Sequence, residues 1–117
     1  MNPEGFATYV FSKQALMTWV THRAPTLAQA RGIRLNCAAP GLTETAMPAE
    51  IAEKTGSRAL IDAYPNPLFD RIATAEEQAW PMLLLNSPRN AVVTGSVLFT
   101  DQGVGGGLMT GALQFTV

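Results

Sequence analysis

Tyr9-Val10-Phe11-Ser12-Lys13 and, after a helix-length interval, Ile33-Arg34-Leu35-Asn36-Cys37-Ala38-Ala39-Pro40-Gly41 decide how this 117-residue chain folds. In the first stretch a phenol and an ammonium four residues apart share one face of a helix. In the second an apolar run ends in Pro-Gly, the break with which an α/β protein leaves its sheet edge at a ligand crevice.

Outward from these stretches the pattern alternates. Phe6 to Ala30 reads as helix, because Phe11, Ala15, Leu16, Trp19 and Val20 recur at helical spacing. Pro25 predicts an end near Arg23, followed by a kink or a second short turn. Gly32 is the expected stop. Ile33 to Ala38 reads as a short buried strand, bounded by Gly32 and Pro40. Gly41 to Pro48 reads as a loop carrying Thr43, Glu44 and Thr45. Ala49 to Tyr64 reads as one or two short helices broken near Gly56, before a turn at Pro65-Asn66-Pro67.

Thr74-Ala75-Glu76-Glu77 has the spacing of a capping box, with Thr74 as cap and Glu77 bonding back. The helix it opens should run to about Leu85, kinked at Pro81 and stopped by Asn86-Ser87-Pro88. Val97 to Thr100 reads as a second buried strand, and Gly105-Gly106-Gly107 as a flexible hinge in a tail that opens no helix. Helix, strand, crossover helix and strand make α/β alternation with a parallel sheet. Two strands are too few for such a sheet, so the chain reads as part of a larger doubly wound fold.

Composition excludes several function classes. Hydrophobic residues are 47%, charged residues 15% and mean hydropathy is +0.11, far from the disordered class. A net charge of -1 gives no reason to expect nucleic acid or a membrane surface as partner. The longest apolar runs, such as Trp80 to Leu85, are too short to span a bilayer. Met1 to Gly5 has neither the basic start nor the apolar run of a signal peptide. Cys37 is the one cysteine, which excludes an intrachain disulfide and fits the cytoplasm. It is expected to be a small buried hydrophobe and not a nucleophile. His22 is the one histidine and is expected at the surface, with no metal site. Trp19 and Trp80 are expected to fill the core or subunit contacts.

A Tyr-x-x-x-Lys pair is common by chance, and alone it describes a half-buried phenol beside a lysine stem. Its register with later segments changes that. Tyr9 and Lys13 are followed by Gly32-Ile33-Arg34-Leu35-Asn36, Pro40-Gly41, Thr45, Ala75-Glu76-Glu77, Thr94-Gly95 and Asp101-Gln102-Gly103. In order and approximate spacing this series resembles the C-terminal half of the short-chain dehydrogenases/reductases, over nearly the whole chain. Gln102 stands where that pattern has glycine.

The resemblance implies an α/β fold that is the C-terminal part of a Rossmann-type doubly wound parallel sheet, its N-terminal half missing, and an NAD(P)-dependent oxidoreductase that interconverts an alcohol and a carbonyl. Tyr9 would be the general acid/base, assisted by Lys13. A free phenol ionises near pH 10, and lowering that to about 7 takes roughly 4 kcal/mol. An ammonium about 4.5 Å away supplies on the order of 3–4 kcal/mol at an effective dielectric of about 20. Lys13 would also bond the nicotinamide ribose. Pro40, Gly41, Thr43 and Thr45 would hold the carboxamide and pyrophosphate, although turn chemistry alone could account for the threonines. The expected cofactor is NAD or NADP, the balance lying toward NAD.

The same resemblance divides the chain into a tyrosine helix (6–30), a strand and cofactor loop (33–41), a substrate cover (47–69), a last helix and strand (74–103) and a Gly-rich tail (104–117). Met47, Ile51, Leu60, Ile61, Tyr64 and Leu68 in the cover imply a small apolar alcohol or ketone as substrate. The tail resembles that of hydroxysteroid and coniferyl-alcohol dehydrogenase-like members, and a homodimer or homotetramer is implied. The Gly-rich pyrophosphate turn and the catalytic serine have no counterpart among these residues. Two alternatives therefore stand beside the enzyme: an inactive remnant, and a subunit-interaction module built on the first helix.

Overall fold

The computed structural model describes residues 3–55 and 58–114, with side chains for all of these except 3–6, 54, 55 and 60. Gly56, the Leu60 side chain and Phe115 lie outside that description. By internal contacts the chain divides into two units, Met1–Ala38 with Pro81–Leu98 and Ala39–Trp80 with Phe99–Val117.

In the first unit α1 runs unbroken from Pro3 to Arg31, through Pro25. The break expected near Arg23 does not occur. Proline removes one N–H from the helix ladder, but Ala24 beside it is fully buried. At that point α1 packs on Gly95, where an added Cβ would stand 3.3 Å from the Ala24 Cβ. The Thr21 hydroxyl also donates to the Gly95 carbonyl at 3.3 Å. This packing holds the turn that the missing hydrogen bond would loosen. Gly32 ends the helix as expected, with φ +65° and its N–H on the Ala28 carbonyl at 2.9 Å.

The strand expected at Ile33–Ala38 is displaced. β1 is Cys37–Pro40 and pairs with β4, Val97–Thr100. Hydrogen bonds from Cys37 N to Ser96 O and from Gly41 N to Thr100 O advance in the same direction along both strands, so the pair is parallel. Residues 33–36 precede the strand, and there the side chains of Arg34 and Asn36 take the neighbouring backbone groups, while Leu35 O accepts the Gly95 N–H at 2.7 Å. The Arg34 guanidinium donates to the carbonyls of Leu85, Asn90, Val93 and Ser87 at 2.7, 3.1, 3.2 and 3.3 Å. The Asn36 carboxamide donates to Val93 O and accepts from Ser96 N, at 3.0 and 3.1 Å. Both strands were expected to be buried; they are half-buried, with Pro40 and Phe99 exposed.

The second unit holds two strands that the sequence pattern does not mark. β2 (Thr43–Glu44) lies in the stretch expected to be loop, and it pairs in parallel with β3 (Ala73–Thr74). Strands of two residues are too short to display a period of two. α2 (Ala46–Thr55) and α3 (Ala59–Asp62) follow β2.

α4 is Ala75–Asn86 with Pro81 inside it, and it begins on the expected capping box. Thr74 N donates to Glu77 Oε2 at 2.8 Å, and Glu77 N to Thr74 Oγ1 at 3.2 Å. Beyond β4 the expected hinge is instead a helix, α5 (Val104–Thr110), so the glycines do open one. The reason is Asp101, whose two carboxylate oxygens accept the Gly103 and Gly105 N–H groups at 3.0 and 2.6 Å. Gly105 is required there, since a Cβ would come within 2.8 Å of that carboxylate.

The core is small. Among the described residues the buried apolar side chains are Val20, Ala24, Ala73 and Val104. Trp19 and Trp80, expected to fill a core or a subunit contact, are 53% and 59% exposed.

Candidate active site

In the first unit, α1 carries Tyr9 and Lys13 one turn apart, and the structure brings their side chains together. Lys13 Nζ lies over the Tyr9 ring, 5.2 Å from its centroid. This is a cation–π arrangement over the ring face, not an ammonium set beside the phenol oxygen. Tyr9 remains 45% exposed. Ser12, one turn into the helix from Tyr9, spends its hydroxyl on the Tyr9 carbonyl at 2.7 Å.

In the second unit, Pro40 ends β1 and Gly41 follows at its carboxyl end, where a parallel sheet opens to ligands. Gly41 can be nothing larger: a Cβ would lie 2.8 Å from the Asp101 Cα and 3.1 Å from the Tyr64 hydroxyl oxygen. The Thr43 hydroxyl donates to the Gly41 carbonyl at 2.9 Å, and the Thr45 hydroxyl to the Thr43 carbonyl at 3.5 Å. These are local turn bonds. Each hydroxyl oxygen keeps acceptor capacity, which suits a carboxamide N–H.

Three residues shape this corner that sequence reasoning did not assign to it. Tyr64, placed above among apolar cover residues, is hydrogen-bonded to the backbone of Leu42. Burial, then the nearby Asp101 charge, raises its ionisation above the ordinary 10.0. Asp101 is buried and caps α5. Gln102 bonds to the chain around Phe69. No spacing signals these contacts, because they join segments more than twenty residues apart (Leu42, Tyr64, Asp101).

A cleft of about 320 Å³ lies elsewhere in the first unit, between residues 34–38 and 82–86. Its one charged lining group, Arg34, is spent on four carbonyls, so the cleft offers a ligand little. Cys37 is half-buried, with its thiol 3.5 Å from the Ala38 carbonyl, and His22 is exposed. Among the described residues no group of His, Cys, Asp and Glu could hold a metal ion, and no helix is long and apolar enough to cross a membrane.

Residues 2–105 match the family model described as enoyl-(acyl carrier protein) reductase. The chain belongs to the short-chain dehydrogenase/reductase family. It is 37% identical over 103 residues to the 3-oxoacyl-[acyl-carrier-protein] reductase FabG of Thermotoga maritima, covering 88% of this chain and 39% of that protein. It is 31% identical over 100 residues to the cyclohexanol dehydrogenase of a Rhodococcus species, covering 86% and 36%. Among solved structures, the 3-alpha-hydroxysteroid dehydrogenase of Pseudomonas sp. B-0831, complexed with NADH, superposes with a TM-score of 0.74 at 29% identity, covering 88% of this chain and 39% of that one. The chain thus spans well under half the length of these relatives. The doubly wound α/β architecture expected above is the architecture of this family.

Proposed function

We propose that this chain supplies the tyrosine helix, cofactor loop and substrate cover of an NAD(P)-dependent oxidoreductase that interconverts an alcohol and a carbonyl. The observation that carries this reading is Lys13 Nζ held 5.2 Å from the centre of the exposed Tyr9 ring. Tyr9 gives its hydroxyl proton to the substrate oxygen on reduction and takes it back on oxidation. Lys13 keeps a positive charge over the face of the Tyr9 ring, which favours the phenolate, and offers N–H donors to a ribose. In the second unit, Pro40 and Gly41 form the floor of a loop whose Thr43 and Thr45 oxygens can accept from a carboxamide. When bound, the nicotinamide supplies the hydride acceptor or donor. The substrate class is a small apolar alcohol or ketone, supported by exposed Met47 and Leu68 in the cover and by the relatives named for such chemistry. The named relatives leave NAD and NADP equally open, since one solved neighbour is complexed with NADH and another is an NADPH-dependent reductase.

A homo-oligomer is the second element of the proposal. Phe11 and Trp19, two helical turns apart on α1, are 68% and 53% exposed while Val20 and Ala24 are buried. An apolar stripe of this kind suits a second copy of the chain.

The test of the enzymatic reading is Lys13→Ala in a complete protein, this chain preceded by the amino-terminal part of the Thermotoga reductase. Turnover and cofactor affinity should both fall. Unchanged values for both would refute the role given to Lys13.

A further inference from the structure

Among the described residues, Asp70 (φ +55°) and Gln102 (φ +60°) are the non-glycine residues with left-handed backbone. For an L-residue that conformation costs about 1–2 kcal/mol, and it persists only where surrounding contacts over-determine it. The two residues belong to one contact in the second unit. Gln102 Oε1 accepts the Phe69 N–H at 3.2 Å. Its Nε2 donates to the Arg71 carbonyl at 2.8 Å and to Asn66 Oδ1 at 3.4 Å. One carboxamide therefore bonds on both sides of Asp70, which itself closes a turn on the Asn66 carbonyl at 2.9 Å.

Other bonds hold the same segment. Arg71 forms a two-pronged pair with Glu77, at 2.9 and 2.7 Å, and stacks 5.2 Å from the Phe69 ring centroid. Tyr64 at its other end sits against Gly41 and bonds the Leu42 backbone. Leu68 and Phe69 are held 65% and 53% exposed between these anchors, although apolar side chains of that size gain from burial.

We propose that Gln102 is a positioning residue, clamping residues 66–71 to the turn after β4 so that Leu68 and Phe69 stand exposed as an apolar wall for the substrate. The clamp rests on the function proposed above for its meaning in catalysis, but its existence as a mechanical device does not. Glycine would adopt φ +60° without strain, so what the Gln102 side chain adds at this position is its bonds.

Gln102→Gly relieves the backbone strain while removing all three side-chain bonds, so any loosening it causes comes from the lost bonds. Hydrogen exchange on the complete protein is the first arm. The Phe69 amide should exchange about 2- to 10-fold faster in Gln102→Gly, the loss expected of one hydrogen bond. Amides of the β1–β4 pairing, such as Cys37, should be unchanged. Gln102→Asn tolerates the left-handed backbone but is one methylene shorter, and it should behave like the glycine variant. Unchanged Phe69 exchange, or equal acceleration at every amide, would overturn the clamp.

The second arm is steady-state kinetics of the complete protein with cyclohexanone as probe. Gln102→Gly should raise KM for the ketone several-fold with kcat and the cofactor KM preserved. A fall in kcat alone, or an unchanged ketone KM, would overturn the positioning role. A complete protein in which even the unsubstituted chain shows no turnover would count against the oxidoreductase reading, leaving the exchange arm to decide the clamp.

Discussion

Lys13 Nζ stands 5.2 Å from the centroid of the Tyr9 ring, one helical turn away on α1. The charge is thus held against the aromatic face of a half-exposed tyrosine. The pair needs no partner from another element to form, which is why it could be read from sequence spacing alone.

The Arg71–Glu77 pair makes the stability of the second unit depend on acidity. The Arg71 guanidinium, followed by the Thr74 amide, lowers the Glu77 carboxyl from 4.5 to about 2. The folded value is depressed, so the contribution is present above about 4.5, the unfolded value, and is lost as pH falls toward 2. Urea unfolding of the complete protein and of Glu77→Gln at stepped pH checks this. The gap between them should be constant near neutrality and close below pH 4.5. A gap independent of pH would contradict it.

Arg34 is a structural cation whose loss should be felt widely. It satisfies the carbonyls of Leu85, near the end of α4, and of Ser87, Asn90 and Val93 in the segment that follows. Arg34→Met keeps the aliphatic stem and removes the donors, and it should cost on the order of 2–3 kcal/mol. Denaturant unfolding of the complete protein measures this, and a loss below about 0.5 kcal/mol would show those carbonyls satisfied by other means.

Two glycines should respond to alanine with opposite signs. At Gly41 the new methyl meets the Asp101 backbone at 2.8 Å, and overpacking of that kind costs about 1–3 kcal/mol. At Gly106, inside α5, nothing lies within 4 Å, and alanine should stabilise by about 0.5–1 kcal/mol. Unfolding midpoints of the two variants that shift in the same direction would contradict this assignment of space.

The 117-residue chain on its own should self-associate. Phe11, Leu83, Leu84, Val92 and Met109 are all 60% exposed or more, while the apolar core among the described residues is four side chains, Val20, Ala24, Ala73 and Val104. Exposed apolar surface on this scale drives association. Sedimentation velocity should show species that grow with concentration, and calorimetry should show no NAD(H) binding at micromolar levels. A monodisperse monomer that binds the cofactor would contradict both.

Legibility in the sequence followed the range of the interactions. The Thr74–Glu77 capping box, the Gly32 stop and the Tyr9–Lys13 pair are made within four residues of chain, and each appears where its spacing puts it. The start of β1 was misplaced because Arg34 and Asn36 bond residues 85–96, far along the chain, before the ladder begins. α5 was hidden because three glycines disfavour helix locally, and the Asp101 cap that offsets them lies outside the glycine run. Gln102 read as a departure from the family's glycine. Its left-handed backbone and its bonds to residues 66–71 emerge only in three dimensions.

The central claim is that Tyr9 moves the proton. Tyr9→Phe in the complete protein keeps the ring under Lys13 and deletes only the hydroxyl, so cofactor affinity should be preserved. Single-turnover measurement of ketone reduction should then show the rate fall by at least the roughly 10²–10⁴-fold that acid/base catalysis supplies. A phenylalanine variant that reduces the ketone at near the unsubstituted rate would contradict the claim.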